Sequence, residues 1–187
     1  MEKTNRLEDK FLYKKETIDG KVIYTQPRTE HSDIVISIYD IFKEYFRISG
    51  NTKCLVYPDN LFLYLKNGSK LIPDVMVICD VSKKTKRGFE GVPELVVEVL
   101  SRTTYDYDLT RKKEIYEELG VKEYWIVDPS FKGVSKYILE DGKYSLNGVF
   151  FKKDEEDDVD ENVDLKYSFN TFVFPDLEIR LDEVFKQ

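Results

Sequence analysis

The chain predicts an α/β or α+β fold: a central mixed sheet flanked by helices, with additional antiparallel hairpins. Three observations carry this. The apolar run Leu95-Val96-Val97, continued by Val99-Leu100, is followed by a helical pattern and then by the apolar run Tyr124-Trp125-Ile126-Val127. Strand, helix and strand in that order, with antiparallel flanks, mark an α/β or α+β sheet. The pairs Asp19-Gly20, Asn67-Gly68 and Asp141-Gly142 each sit between apolar-bearing runs and read as turns. Finally, Ile34, Val35, Ile38, Ile41, Phe42 and Tyr45 recur at helical spacing.

The elements follow in order. Residues 1–12 are polar and read as a loose or short helical start, and residues 13–24 as a hairpin about Asp19-Gly20. Pro27 precedes a helix expected from His31 to Arg47, which Gly50 ends. Strands are expected at 53–57, 61–66 and 74–79, then a basic, glycine-containing loop over 81–92. A core strand covers 94–100, a helix about 106–119 with Gly120 as its stop, and a strand 123–129 ending at Pro129. Residues 134–140 and 143–150 pair as a hairpin. The acidic stretch 154–164 has little apolar content and reads as a mobile, solvated loop, without the spacing or glycine of an EF-hand. Residues 171–186 return to apolar spacing and are expected to dock on the domain. With no internal repeat and no linker, residues 1–187 form one domain, long enough to bury a real core.

Composition narrows the function. No stretch approaches the roughly 20 apolar residues of a membrane span, and Met1-Glu2-Lys3-Thr4 begins no signal-peptide pattern. Cys54 and Cys79 have no neighbouring thiol or histidine to suggest zinc and are expected as reduced core residues, so a cytoplasmic location is expected. The net charge of -7 counts against electrostatic wrapping of nucleic acid. From Asp154 to Gln187, however, 12 acidic and 3 basic residues hold -9 of that total, leaving the remainder at about +2. Lys83, Lys84, Lys86 and Arg87 then form a local basic run that is either a positive face or a solvated loop.

Three charges stand where the sequence reads as core. Asp74 opens the run Val75-Met76-Val77-Ile78, and Glu98 interrupts Leu95 to Leu100. Lys112 has Leu109, Ile115, Tyr116 and Leu119 fanned around it at about 100° per residue, which places it in the buried stripe. A lone buried charge costs several kcal/mol, so such groups are paired, metal-bound or functional. Two carboxylates with a lysine at one sheet edge are the ingredients of divalent-metal phosphodiester chemistry.

Pro73-Asp74-Val75, then Gly91-Val92-Pro93-Glu94-Leu95-Val96-Val97-Glu98-Val99-Leu100-Ser101, then Asp108-Leu109-Thr110-Arg111-Lys112 leading to Tyr116 and Gly120-Val121-Lys122-Glu123-Tyr124-Trp125-Ile126-Val127-Asp128-Pro129, resemble the PD-(D/E)XK nuclease superfamily. More closely they resemble the Uma family of restriction-endonuclease-like proteins, whose N-terminal proline and histidine are matched by Pro27 and His31. The resemblance covers roughly residues 20–150 and is most specific over 91–129. It implies a restriction-endonuclease-like fold and a metal-dependent endonuclease acting on DNA. One departure matters: the superfamily's usual lysine, two residues after the glutamate, is here Leu100. In the Uma group the lysine lies on the following helix, which is Lys112 here, the residue that the helix face selects over Lys113.

On this reading Asp74, Glu98 and the Val99 carbonyl hold one or two Mg²⁺ (or Mn²⁺) through hard oxygen ligands. Lys112 neutralises the attacked phosphate or orients the water. Other residues carry weaker expectations. Ser101 and Asp108 read as helix caps, and Tyr116 as a core residue whose hydroxyl can face the site. His31, the single histidine, reads as helix-terminus packing with a general base as the alternative, and Glu30 as a residue able to reach the metal. Tyr124, Trp125 and Asp128 read as core and strand end. A homodimer is expected, since cutting both strands of a duplex commonly needs two sites. Phe62, Tyr64 and Phe150-Phe151 read as its interface or as core. The competing function is a non-catalytic nucleic-acid- or protein-binding domain on the same fold, with no membrane association in either case.

Overall fold

The computed structural model describes residues 14–26, 28–101, 105–153 and 166–186. The expected N-terminal start over 1–12, Pro27 and the acidic stretch 154–164 lie outside the described residues. The centre is a six-stranded mixed sheet of β3 (Leu55–Pro58), β6 (Val75–Ile78), β8 (Leu95–Val99), β9 (Glu123–Asp128), β10 (Gly133–Glu140) and β11 (Lys143–Phe151). From one edge to the other it runs β11-β10-β9-β8-β6-β3. Only β8 and β9 run parallel, joined by two helices, α2 (Tyr105–Leu109) and α3 (Arg111–Leu119). The single helix expected over 106–119 is thus broken at Thr110.

Alternation along the strands divides the core in two. Val75, Val77, Val97, Val99, Trp125 and Val127 point to one face and pack beneath α1 (Thr29–Ile48). The stripe of α1 expected from its spacing, Ile34, Val35, Ile38 and Phe42, is the buried one. Met76, Ile78, Val96, Tyr124 and Ile126 point to the other face, against Ile115 and Tyr116 of α3. Each fully buried aliphatic or aromatic side chain stabilises the fold by about 1.5–3 kcal/mol, so the two layers hold the sheet on both sides. The expected C-terminal docking is present: β12 (Ser168–Asn170), β13 (Glu178–Arg180) and α4 (Leu181–Val184) close over the α1 layer through Phe169, Ile179, Leu181 and Val184. Phe150 also belongs to this core.

A second sheet lies over the α3 face. Its strands are β1 (Lys14–Ile18), β2 (Lys21–Thr25), β4 (Phe62–Tyr64), β5 (Lys70–Leu71) and β7 (Gly88–Phe89), in the order β2-β1-β5-β4-β7. The β1–β2 hairpin turns at Asp19-Gly20, where both residues have positive φ, of 49° and 78°. An aspartate and a glycine suit that turn because they tolerate the left-handed region. Asp19 also receives a two-pronged contact from Arg111, Nε to Oδ2 at 2.6 Å and Nη2 to Oδ1 at 3.1 Å, which ties the hairpin to the start of α3.

One expectation is corrected here. Cys54 and Cys79 are not reduced: they form a disulfide, because the antiparallel register that sets Leu55 opposite Ile78 sets the two cysteines opposite each other at the next step.

Candidate active site

The topology explains why Asp74 and Glu98 lie close enough for each carboxylate to feel the other's charge. β6 runs antiparallel to β8 with Val75 opposite Val97, so the residue that opens β6 lies beside the residues that end β8. Asp74 is buried, and its carboxylate is fully engaged. The Val99 N–H donates to Oδ2 at 2.7 Å, the Lys14 ammonium donates to Oδ1 at 2.5 Å, and His31 Nε2 lies 3.2 Å from Oδ2. Burial pushes this carboxyl's pKa up, but Lys14 and the His31 contact outweigh it and hold the group well below the usual carboxylate range.

Glu98 points to the α3 face and is buried among apolar neighbours. Lys112 donates to its Oε2 at 3.2 Å and the Tyr116 hydroxyl to its Oε1 at 2.6 Å. Lys112 and Tyr116 are four residues apart on α3 and so share one helix face. Here burial wins: Glu98 is pushed well above the ordinary carboxylate pKa, with Lys112 opposing and the charges of Asp74 and Asp108 adding to the shift. The two carboxylates of one sheet edge are therefore driven in opposite directions, a pattern typical of functional sites. Burial alone would lower the Lys112 pKa, but the surrounding carboxylates raise it well above the ordinary lysine value.

Four residues join the cluster from positions that sequence reasoning passed over or misread. Glu16 on β1 is buried, accepts the Ile72 N–H at 2.7 Å and lies 3.0 Å from the Lys112 ammonium. Lys14, two residues earlier, occupies the same face of the strand. Asp108, expected as a cap ahead of a helix, stands instead within α2. It is buried and forms an ion pair with Lys112 at 3.0 Å, four residues on. Asp59, in the turn after β3, completes a group with His31 and Asp74 whose ligand atoms all lie within 4.8 Å of one another.

An open cleft of about 970 Å³ borders this cluster. It forms where β8 and β9 end, at Leu100, Ser101, Asp128 and Pro129, and where α1 begins, at Glu30 and His31. A crevice at the carboxyl ends of parallel strands is where α/β sheets commonly bind ligands. His31 joins the two features, since it lines the cleft and contacts Asp74. It packs at the first turn of α1, as expected, and its buried Nδ1 has no hydrogen-bond partner among the described residues. Glu30 is exposed on the cleft wall, outside the buried cluster. Ser101 lines the cleft too, and residues 102–104, where its expected cap would act, lie outside the described residues.

The donor set suits a hard divalent cation. The carboxylates of Asp59 and Asp74 and the His31 imidazole converge on a small volume. A solved "putative nuclease belonging to DUF820" from Anabaena variabilis superposes on this chain with a TM-score of 0.70, covering 92% of this chain and 89% of that one. At 17% identity the likeness speaks to the fold. No curated protein matches the sequence. The sequence model of the family described as "Uma2: Putative restriction endonuclease" matches residues 1–169, so the chain belongs to that family.

Proposed function

We propose that this protein is a divalent-metal-dependent endonuclease that hydrolyses phosphodiester bonds in DNA. The observation that carries this reading is the gathering of buried ionisable groups in one region: the carboxyl groups of Glu16, Asp74, Glu98 and Asp108 surround the ammoniums of Lys14 and Lys112, and His31 and Asp59 flank Asp74. Buried ionisable groups are costly unless they are paired, metal-bound or functional, and a carboxylate-rich set with an imidazole beside it suits a dication.

Asp74 and Glu98, with the Val99 carbonyl, are the proposed ligands, and His31 and Asp59, both near Asp74, would complete the shell. When bound, the ion supplies Lewis-acid polarisation of the phosphate and a more acidic water. The chain's own groups do the rest. Tyr116 and Lys112 hold the Glu98 carboxylate in one orientation. The Val99 N–H and His31 fix Asp74. The cleft admits the phosphodiester at the edge of the cluster.

The test is incubation of supercoiled plasmid with the purified protein in Mg²⁺ and in Mn²⁺, beside Glu98→Ala and Lys112→Ala. Nicking by the parent, lost in both variants while their circular dichroism stays native, supports the reading. A second reading draws on the cleft's own acids, Glu30, Asp106 and Asp128, which repel phosphate and suit a binding module for a protein. A parent that leaves plasmid and RNA intact in both metals, with Mn²⁺ affinity unchanged in Glu98→Ala, selects that module instead.

A further inference from the structure

Two lysines enter the cluster, and their surroundings differ. The Lys112 ammonium lies 3.0 Å from Glu16, 3.2 Å from Glu98 and 3.0 Å from Asp108, and its side chain is 2% exposed. An ammonium has three N–H donors, and three carboxylates surround this one. Its hydrogen bond goes to Glu98, and Glu16 and Asp108 hold it as ion pairs, so Lys112 is confined on three sides and withdrawing it would strand buried charge.

Lys14 is bound differently. Among the described residues its ammonium pairs with Asp74 alone, at 2.5 Å, and its side chain is 9% exposed. It stands on the Oδ1 of a proposed metal ligand, while the other oxygen of that carboxylate faces the cleft-lining His31. A compact cation at hydrogen-bond distance from Asp74, within the field of Glu16 and Glu98, occupies ground that a divalent ion would take. Both cannot sit on the same oxygen. Lys14 also rides a flexible four-carbon stem on β1, so it can leave without breaking a strand.

We propose that Lys14, not Lys112, is the substrate-facing ammonium of this site. It rests on Asp74 in the metal-free chain and is displaced toward the cleft when a divalent cation binds. Lys112 is a positioning residue that keeps Glu98 and Asp108 in place. This rests on the metal-site reading given above. It goes beyond that reading by assigning the two lysines separate tasks.

The experiment is amine labelling of the intact parent chain, read lysine by lysine by mass spectrometry, without metal and with saturating Mn²⁺. Calorimetry on the same sample establishes whether Mn²⁺ binds, and the exposed Lys21 and Lys43 serve as internal standards. The expected result is that Lys14 is protected without metal and gains at least tenfold in labelling rate with Mn²⁺, while Lys112 stays protected in both. Mn²⁺ binding that leaves Lys14 protected, or that exposes Lys112 instead, overturns this proposal and leaves the metal site standing. A chain that binds no Mn²⁺ overturns the metal site, and the proposal with it.

Discussion

The Tyr116 hydroxyl donates a 2.6 Å hydrogen bond to Oε1 of Glu98, inside a core layer closed to solvent. A hydrogen bond to a charged or partly charged acceptor contributes about 1.5–3 kcal/mol. Tyr116→Phe keeps the ring and strands that oxygen, so it is expected to lower unfolding stability by about that much in urea titration. Mn²⁺ affinity is expected to fall with it, since Glu98 loses one of its two restraints. Unchanged stability would mean that the hydroxyl is not needed to hold the carboxylate.

Lys112→Met removes the cation from among three carboxylates while keeping the stem's bulk. Breaking a buried ion pair from one side costs about 3–5 kcal/mol, and equilibrium denaturation is expected to show a loss in that range. Lys14→Met should cost less, because one carboxylate rather than three loses its partner. A variant series in which Lys14→Met is the more damaging change would contradict the separate tasks assigned to the two lysines.

Asp74 sets the expected acid limb of stability. Its folded pKa lies below the unfolded value of about 3.9. The stabilisation is therefore present above that value and is lost as pH falls below it toward the folded pKa. Thermal melts of the parent between pH 6 and pH 2 should decline below about pH 4, and Asp74→Asn should flatten that decline while being less stable near neutrality. Parallel curves for the two proteins would refute the assignment.

The Cys54–Cys79 disulfide closes a loop with a sequence separation of 25. Loop-closure entropy assigns a cross-link of that size about 3 kcal/mol. Reduction under native conditions, or the double change Cys54→Ala and Cys79→Ala, is expected to lower stability by that order. Because the link joins the start of β3 to the end of β6, at the opposite ends of those strands from Asp59 and Asp74, Mn²⁺ affinity should change little.

The legibility of these features in the sequence follows from where each residue's neighbours lie. Glu98 and Lys112 stood out because local apolar neighbours frame them, and the strand-helix-strand order around them is the order in the structure. Lys14 and Glu16 did not, since Lys14-Lys15-Glu16-Thr17-Ile18 reads as an ordinary polar hairpin strand. Only the docking of β1 brings Glu16 to Lys112 of α3 and Lys14 to Asp74. Asp59 follows Pro58 in what looks like a plain turn, and its closeness to His31 and Asp74 spans distant segments. Asp108 was misread because the break at Thr110 leaves no mark in the periodicity, so an interior residue resembled a cap. The cysteine pair required the β3–β6 register, which no local pattern states.

The N-terminal hairpin brings Glu16 to Lys112 across most of the described chain, and Arg111 fastens that hairpin through Asp19. Contacts of such long sequence separation carry a large loop-closure cost and form late in folding. A folding intermediate with α1 and the six-stranded sheet in place, but the hairpin still loose, has Asp74 without Lys14 and Lys112 without Glu16. The ion cluster is thus a checkpoint on the finished fold: the chemistry becomes available only after the N-terminal hairpin has found its place against α3 and Asp74.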